Sequence, residues 1–492
     1  MSSDIASASL PVLLINPHSS PLERYGSRLA SLGPVTEPLG LAYLAGVAEE
    51  RGYPVKILDM IALGLTPEAL PGELDIRQYA VVGITINTPM FERAAEVARW
   101  VRSRHPGALL VAGGPHPTAL PLETLEDIPQ LDFVVCGEGE MTFAEILAST
   151  RVHGGRTVVE DPGIIAGIAF RRDGERLETP ARTGVANLDD LPLPARHLLP
   201  MDRYRTAVSN VGQGHAFTVI PARGCPFRCS FCSHPFGRTF RRHSPGRVVR
   251  EIQFLVSRYG AREIRIEADT LSVHRAFLRE LCSSLVDSGL HRQVRWSASC
   301  RADCVDRELL EAMRQAGCWQ IAYGVESGSQ RLLDLIQKGE RLDDFRAIFP
   351  LTRQIGISTK AFFMLGLPTE TREESLETIR FACELDPDWV QFTLTTPYPG
   401  TPMFEQTLEG TRSRPTDWSR FNTWAGLADR DLVYVPEGRT AAELKELQKF
   451  ALRRFYCRPR PLLRFLGSCS SWDRFRTLLS GARVLMPARS GQ

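Results

Sequence analysis

The sequence predicts an α/β chain in three parts: a doubly wound, Rossmann-like domain, a partial (βα)6 barrel and a mainly helical C-terminal extension. Short β-rich runs alternate with helical patterns over 12–136 and again over 217–394, which predicts two largely parallel sheets. At the start of the second series one loop carries Cys225, Cys229 and Cys232, spaced CxxxCxxC.

Length and composition bound the answer. The 492 residues suit roughly two to four domains of about 150 residues each. The 59 basic residues nearly cancel the 57 acidic ones, with no long single-sign block, which argues against a nucleic-acid partner. Eleven irregularly spaced cysteines do not make a secreted disulfide framework, so a reducing, cytoplasmic setting is expected. The first 14 residues contain Asp4, lack a basic region and read as a strand rather than a signal peptide. No stretch approaches the roughly 18 uninterrupted apolar residues that a membrane span needs.

In the first domain, 10–150, strands are expected at 12–16, 55–59, 81–85, 108–112 and 133–136. Helices fall at 39–51, 90–104 and 119–126, with a weaker pattern at 67–74. The ligand site of such a sheet lies beyond the carboxyl ends of its strands. Those ends read Asn16-Pro17-His18, Thr85-Ile86-Asn87, Gly113-Gly114-Pro115-His116 and Gly137-Glu138-Gly139-Glu140. Glycine lets a ligand lie on main chain, so a large, flat, amide-fringed molecule suits this rim. No G-x-G-x-x-G follows the first strand, which argues against a dinucleotide.

Residues 151–205 read as a small hairpin, 164–171 and 176–178 around Asp173-Gly174, then an extended connector containing Pro192 and Pro194. Over 206–404 six strands, at 217–220, 263–267, 294–299, 319–324, 358–365 and 389–394, alternate with helices at 247–259, 273–284, 307–315, 330–337, 342–355 and 370–384. A barrel of this kind places its site at the C-terminal ends of its strands. Three thiols on one loop there point to a metal cluster. Zinc and ordinary iron-sulfur sites take four protein ligands, so the spacing by itself also admits a zinc loop completed by a residue such as His234, or three unrelated buried cysteines. In 405–492 the pattern loosens, with Asp417-Trp418 and Trp424 as aromatic anchors and a helix over 441–456 behind Thr440 as N-cap. The basic, apolar segment 453–466 suits a membrane surface, a cradle for an anionic or lipid substrate, or a lid on the open side of the barrel.

The cysteine spacing, with Phe231 just before the last cysteine, resembles the radical S-adenosylmethionine superfamily. The Gly-Gly-Pro-His and Gly-Glu-Gly-Glu turns look like those of the cobalamin-binding domain that precedes many such barrels, and the resemblance spans about 10–456. It implies a 4Fe-4S cluster on Cys225, Cys229 and Cys232 whose remaining iron chelates S-adenosylmethionine. It also implies that Phe231, Ser299, Arg301, Glu326 and Gly366 contact that nucleotide. Pro17, Thr85, Gly113, Gly114, His116, Gly137, Glu138 and Gly139 are implied contacts of cobalamin, with His18 a further candidate. Reductive cleavage to methionine and a 5′-deoxyadenosyl radical would be followed by hydrogen abstraction from an unactivated carbon and methyl transfer from methylcobalamin. A cyclase or rearranging enzyme using cobalamin as electron carrier shares these motifs, and a non-catalytic cobalamin or redox sensor is the alternative from another class. A small-molecule substrate and an external electron donor such as flavodoxin or ferredoxin are the implied partners.

Two departures from the family pattern stand out. Asp59-Met60-Ile61-Ala62-Leu63-Gly64 occupies the place of Asp-x-His-x-x-Gly, and isoleucine cannot ligate cobalt. Glu267-Ala268-Asp269 replaces the Gly-Gly-Glu that serves the methionine amine in many relatives. Tyr398, in a Pro-x-Pro-Gly-Thr turn, either faces substrate or packs. Cys300 and Cys304, four apart near the site, are either redox-active or small buried hydrophobes.

Overall fold

The apolar runs of the first domain pair with one another as parallel strands. In the computed structural model, which describes residues 10–461 apart from 31–32, 71–73, 207–214, 410–416 and 429, these are β1 (Val12–Asn16), β2 (Val55–Asp59), β3 (Val81–Thr85), β4 (Leu109–Gly113) and β5 (Phe133–Val135). All of β1 is buried, as a strand with helices on both faces must be. The order β2-β1-β3-β4-β5 reverses direction at β1, which opens a crevice where the carboxyl ends of β1 and β3 part.

Helices Leu39–Glu50 and Phe91–Arg104 stand where expected. The helix expected over 119–126 is instead two, Pro115–Ala119 and Pro121–Asp127, because Pro121 has no N–H to continue the first. Of the pattern at 67–74, the described residues form a 3-10 turn, Pro67–Ala69, followed by helical Leu70, and 71–73 lie outside the described residues. Helices Pro21–Leu29 and Gly139–Ala148 are additions to the expected elements: Gly26 interrupts the periodicity of the first, and the second begins within the Gly-Glu-Gly-Glu stretch read as a strand-end turn.

β6 (Thr150–His153) and β7 (Arg156–Val159) form a separate hairpin. The hairpin expected in the connector is present as β8 (Ile168–Arg172) and β9 (Glu175–Glu178), but it is not detached. β8 pairs antiparallel with β5 and extends the first sheet to seven strands. Its buried Ile168, Ala169 and Phe170 cover an edge that β5 would otherwise leave unpaired. The extended connector is pinned: Ala195 donates its N–H to Ala42 O (2.9 Å), and fully buried Arg196 reaches Glu251 (2.7 Å) and the Thr218 carbonyl (2.6 Å).

The second domain opens with β10 (Ala216–Val219), followed by a short antiparallel clasp, β11 (Ala222–Arg223) with β12 (Arg241–Arg242), that closes the base of the cysteine loop. β13 (Glu263–Ile266), β14 (Arg295–Cys300), β15 (Cys318–Glu326), β16 (Ser358–Leu365) and β17 (Trp389–Leu394) then add to β10 in chain order, all parallel, as the expected six-stranded open barrel. Helix Ala441–Tyr456 is capped by Thr440 and buries Leu444, Leu447, Leu452 and Phe455 against the barrel. Tyr456 Oη exchanges hydrogen bonds with Val390 N and O (3.0 Å each), which covers the free edge of β17. The described aromatic residues of the basic segment, Phe455 and Tyr456, are therefore used inside the protein. Residues 462–466 of the basic segment, and Cys469, lie outside the described residues. No helix among the described residues is long and apolar enough to cross a membrane.

Candidate active site at the domain seam

The cysteine loop leaves β11 through Gly224, whose φ of +89° suits glycine alone and whose Cβ would stand 2.1 Å from Thr239 O. Other elements hold the loop by its main chain. Gly224 N donates to Asp269 Oδ2 (2.7 Å), Ser230 N to Ile336 O (2.9 Å) and Met403 N to Ser230 O (2.9 Å). Asp269 thus anchors the loop, while Glu267 pairs with Arg265 (2.9 Å).

Cys229 is buried, Cys225 half-buried and Cys232 exposed, with the Cys232 thiol turned toward Ser233 O (3.4 Å). Burial pushes the Cys225 and Cys229 thiols up, and Lys338 and Arg301 only partly oppose this at Cys229. Three thiolates here call for a cation that the protein does not itself supply in full, which is what bound iron provides. Among the described residues no three His, Cys, Asp or Glu side chains stand gathered as a ligand set, the three loop cysteines included. Three thiols on one loop are the number that a cluster with one open iron takes from the protein.

Beneath the loop lies a buried knot of charge. Glu326 ends β15 with φ +67°, an uncommon conformation for a residue with a side chain, and its carboxylate is 3.6 Å from Lys338 Nζ. Lys338 is also 3.2 Å from Glu340, while Arg301 forks onto Asp303 (2.9 and 2.8 Å) and donates to Lys338 O (3.0 Å). The Arg301 guanidinium lies over the Phe227 ring, 3.6 Å from its centroid. Arg301, expected to touch nucleotide, is thus engaged on all sides and props the loop. Burial raises the pKa of Glu326, Lys338 opposes this and Glu340 adds to it. Three carboxylates (Glu326, Glu340, Asp303) face two cations, and the surplus could receive the ammonium of a bound S-adenosylmethionine.

Of the other expected nucleotide contacts, Ser299 is exposed at the end of β14 and Phe231 packs half-buried on the barrel core. Gly366 is a correction. Its positive φ (+80°) belongs to a turn held by Glu370, and its open side meets Leu444 of the C-terminal helix at 3.2 Å rather than the barrel mouth. Tyr398 is a packed turn residue that donates to Phe421 O (3.1 Å). Burial pushes the Cys300 and Cys304 thiols up to about 12, so neither is a thiolate at neutral pH.

A cavity of about 490 Å³ fills the crevice of the first sheet. Its wall includes Thr85, Gly113, Gly114, Gly137, Glu138 and Gly139 from the first domain, and Ile220, Arg223, Pro235 and Phe236, which flank the cysteine loop, from the second. Gly114 (φ +112°) would drive a Cβ to 2.9 Å from Ile86 O, and Gly137 (φ +75°) has nothing within 4 Å of where a Cβ would stand. Such a glycine cradle fits a broad amide-fringed ring. Ile61 is in the wall, so an apolar group stands where the family pattern has imidazole. Asp59 instead caps the turn Met60–Leu63 and accepts from Asn16 (2.9 Å) and Tyr204 (2.8 Å).

Pro17, His18 and His116 are not in this wall. His116 is fully buried between Phe91 and Trp418, with ring centroids 4.7 Å from each, because the C-terminal segment inserts Trp418 into the first domain. Glu138 lines the cavity, but its carboxylate is taken by Arg223 (2.8 Å) and Arg241, while Arg223 also holds Glu140 (2.6 Å). Arg223, Lys338 and Glu340 escaped sequence reasoning. The available signals were an arginine closing an apolar strand and two charges, Lys338 and Glu340, directly after an apolar-faced helix.

Comparison with known proteins agrees with this layout. Residues 27–147 match the B12 binding domain and residues 219–382 the radical SAM superfamily. The chain is similar to an uncharacterized methyltransferase of Pyrococcus horikoshii, 33% identical over 92% of this chain and 94% of that one. It is also similar to the anaerobic magnesium-protoporphyrin IX monomethyl ester cyclase of Cereibacter sphaeroides, 29% identical over 88% of this chain and 68% of the relative. Among solved structures, the radical S-adenosylmethionine methyltransferase TsrM of Kitasatospora setae, with cobalamin and a [4Fe-4S] cluster bound, shares the fold with a TM-score of 0.69, 19% identity and 92% coverage of both chains.

Proposed function

The chain belongs to the B12-binding radical S-adenosylmethionine family, and on that premise we propose that it methylates an unactivated carbon of a small molecule. One observation carries the reading. The glycine-lined cavity of the first domain is walled in part by Arg223, Pro235 and Phe236, which flank the three cysteines of the second, so a corrin held in the one would adjoin a cluster held on the other. When bound, the cluster, nucleotide and corrin supply the electron, the radical and the methyl carrier.

The chain's own residues bind, orient and shield. Cys225, Cys229 and Cys232 would hold iron, with the loop fixed by Asp269 and the stacked Arg301. Glu326, beside Lys338, would take the methionine ammonium, and Ser299 would meet the ribose or carboxylate. Thr85, Gly113, Gly114, Gly137 and Gly139 would lie along the corrin, and Ile61 would add an apolar group to the same wall. Arg223, Tyr43 and Phe236 close the seam and keep water from reactive intermediates. Electrons would come from a flavodoxin or ferredoxin in a cytoplasmic setting.

Reduced, reconstituted protein given S-adenosylmethionine and a cell extract as substrate source is expected to release both 5′-deoxyadenosine and S-adenosylhomocysteine. The similarity to a ring-forming cyclase favours a second reading, in which 5′-deoxyadenosine appears alone. Release of neither product would remove both readings.

A further inference from the structure

The segment 203–250, which contains the cysteine loop, carries nine arginines and no aspartate or glutamate. Most of this charge is balanced by carboxylates from other elements. Arg223 and Arg241 meet Glu138 and Glu140 at the seam, Arg247 meets Glu251 and Arg242 reaches Glu280. Arg228 and Arg238 are not balanced in this way. Both are exposed, and among the described residues neither has a carboxylate partner.

Both belong to the loop that would hold the cluster. Arg228 lies between Cys225 and Cys229 in sequence, and Arg238 donates to the Phe227 carbonyl (2.6 Å). The Phe227 ring is turned beneath the Arg301 guanidinium, so the loop shows the barrel an aromatic ring and shows solvent its two cations. Beside them the surface is apolar. Pro226 is exposed, and Leu335, which precedes the Ile336 carbonyl that accepts from Ser230 N (2.9 Å), is 43% exposed. The carboxylates bonded into this neighbourhood are committed: Asp269 to Gly224 N, Asp303 to Arg301 and Asp334 to Gln330.

We infer that this face of the loop is where the protein receives its electrons, from a small acidic one-electron carrier protein whose carboxylates meet Arg228 and Arg238. The inference rests on the proposed reaction for the presence of a cluster, and it adds the docking surface and the charge of the partner. The step moves one electron: the carrier is oxidised by one and the cluster reduced by one. Electron transfer falls steeply with distance, so the carrier must touch the loop that holds the cluster. An encounter of this kind needs only a small interface with an apolar centre and a polar rim. Opposite charge across it speeds the encounter, which suits a partner that leaves after each transfer.

Calorimetric titration of the reconstituted holoprotein with an acidic flavodoxin tests this without turnover. Wild type is expected to bind, more weakly as salt is raised, with affinity at least about tenfold lower in Arg228→Glu and in Arg238→Glu and nearly unchanged in Arg228→Lys. No binding by wild type, equal affinity in Arg228→Glu, or binding indifferent to salt overturns the inference. A second measurement separates docking from support of the loop. Cleavage of S-adenosylmethionine driven by reduced flavodoxin should fall in Arg228→Glu, whereas cleavage driven by titanium(III) citrate should not. A fall in both would make Arg228 a support of the loop and overturn the assignment. Flavodoxin binding with no cleavage by either reductant in wild type sinks the reaction and keeps the surface, and titanium-driven cleavage without flavodoxin binding does the reverse.

Discussion

Cys225→Ala, Cys229→Ala and Cys232→Ala are each expected to reduce cleavage of S-adenosylmethionine to background and to strip the protein of iron, whereas His234→Gln leaves both in place. The loop supplies three thiols, so removing one leaves two ligands for a cluster that needs three. The substitutions should leave the fold intact. Gly224, Ser230 and Met403 hold the loop through main-chain atoms that alanine does not disturb. Iron content, circular dichroism and nucleotide cleavage on the same samples check this. Retained cleavage in any cysteine variant, or loss of iron in His234→Gln, would point to a different ligand set.

Arg223→Met is expected to destabilise the protein by about 3–5 kcal/mol and to abolish cobalamin retention. Arg223 is 3% exposed in its side chain, and Glu140, 7% exposed, has it as ion-pair partner at 2.6 Å. Glu138 keeps Arg241, but Glu140 would be left charged and alone inside the seam. The same guanidinium sits over Tyr43 (5.3 Å) and Phe236 (4.9 Å) and forms part of the cavity wall, so stability and cofactor binding should fall together. Adding Glu140→Gln should restore a measurable part of the loss in denaturant unfolding, since the stranded charge is then gone. Equal midpoints for wild type and Arg223→Met would show that the domains are not joined through this residue.

Much of this molecule was legible in its sequence because burial on both faces leaves strands as short unbroken apolar runs, and β16 and β17 fall where those runs predict. An element interrupted by glycine was not legible, as helix Pro21–Leu29 with Gly26 inside it shows. The cysteine loop was legible because its chemistry lies in local spacing. The cavity was half legible. Thr85, Gly113, Gly114, Gly137 and Gly139 line it because strand ends follow from the strands, whereas His116 was claimed by Trp418, a residue some 300 positions away that no local pattern connects to it. The same reason hid the buried charges. Whether Arg301 faces a ligand or props a loop depends on Asp303, Lys338 and Phe227 converging on it from other elements.

Mössbauer spectroscopy on anaerobically reconstituted protein carrying isotopically labelled iron, recorded with and without S-adenosylmethionine, bears most directly on the open iron. About four irons per chain are expected, one of them distinct from the rest and shifted when the nucleotide is added. Protein that binds no iron, or a cluster whose irons are alike and indifferent to the nucleotide, would contradict the assignment of Cys225, Cys229 and Cys232 as the three-thiolate ligand set.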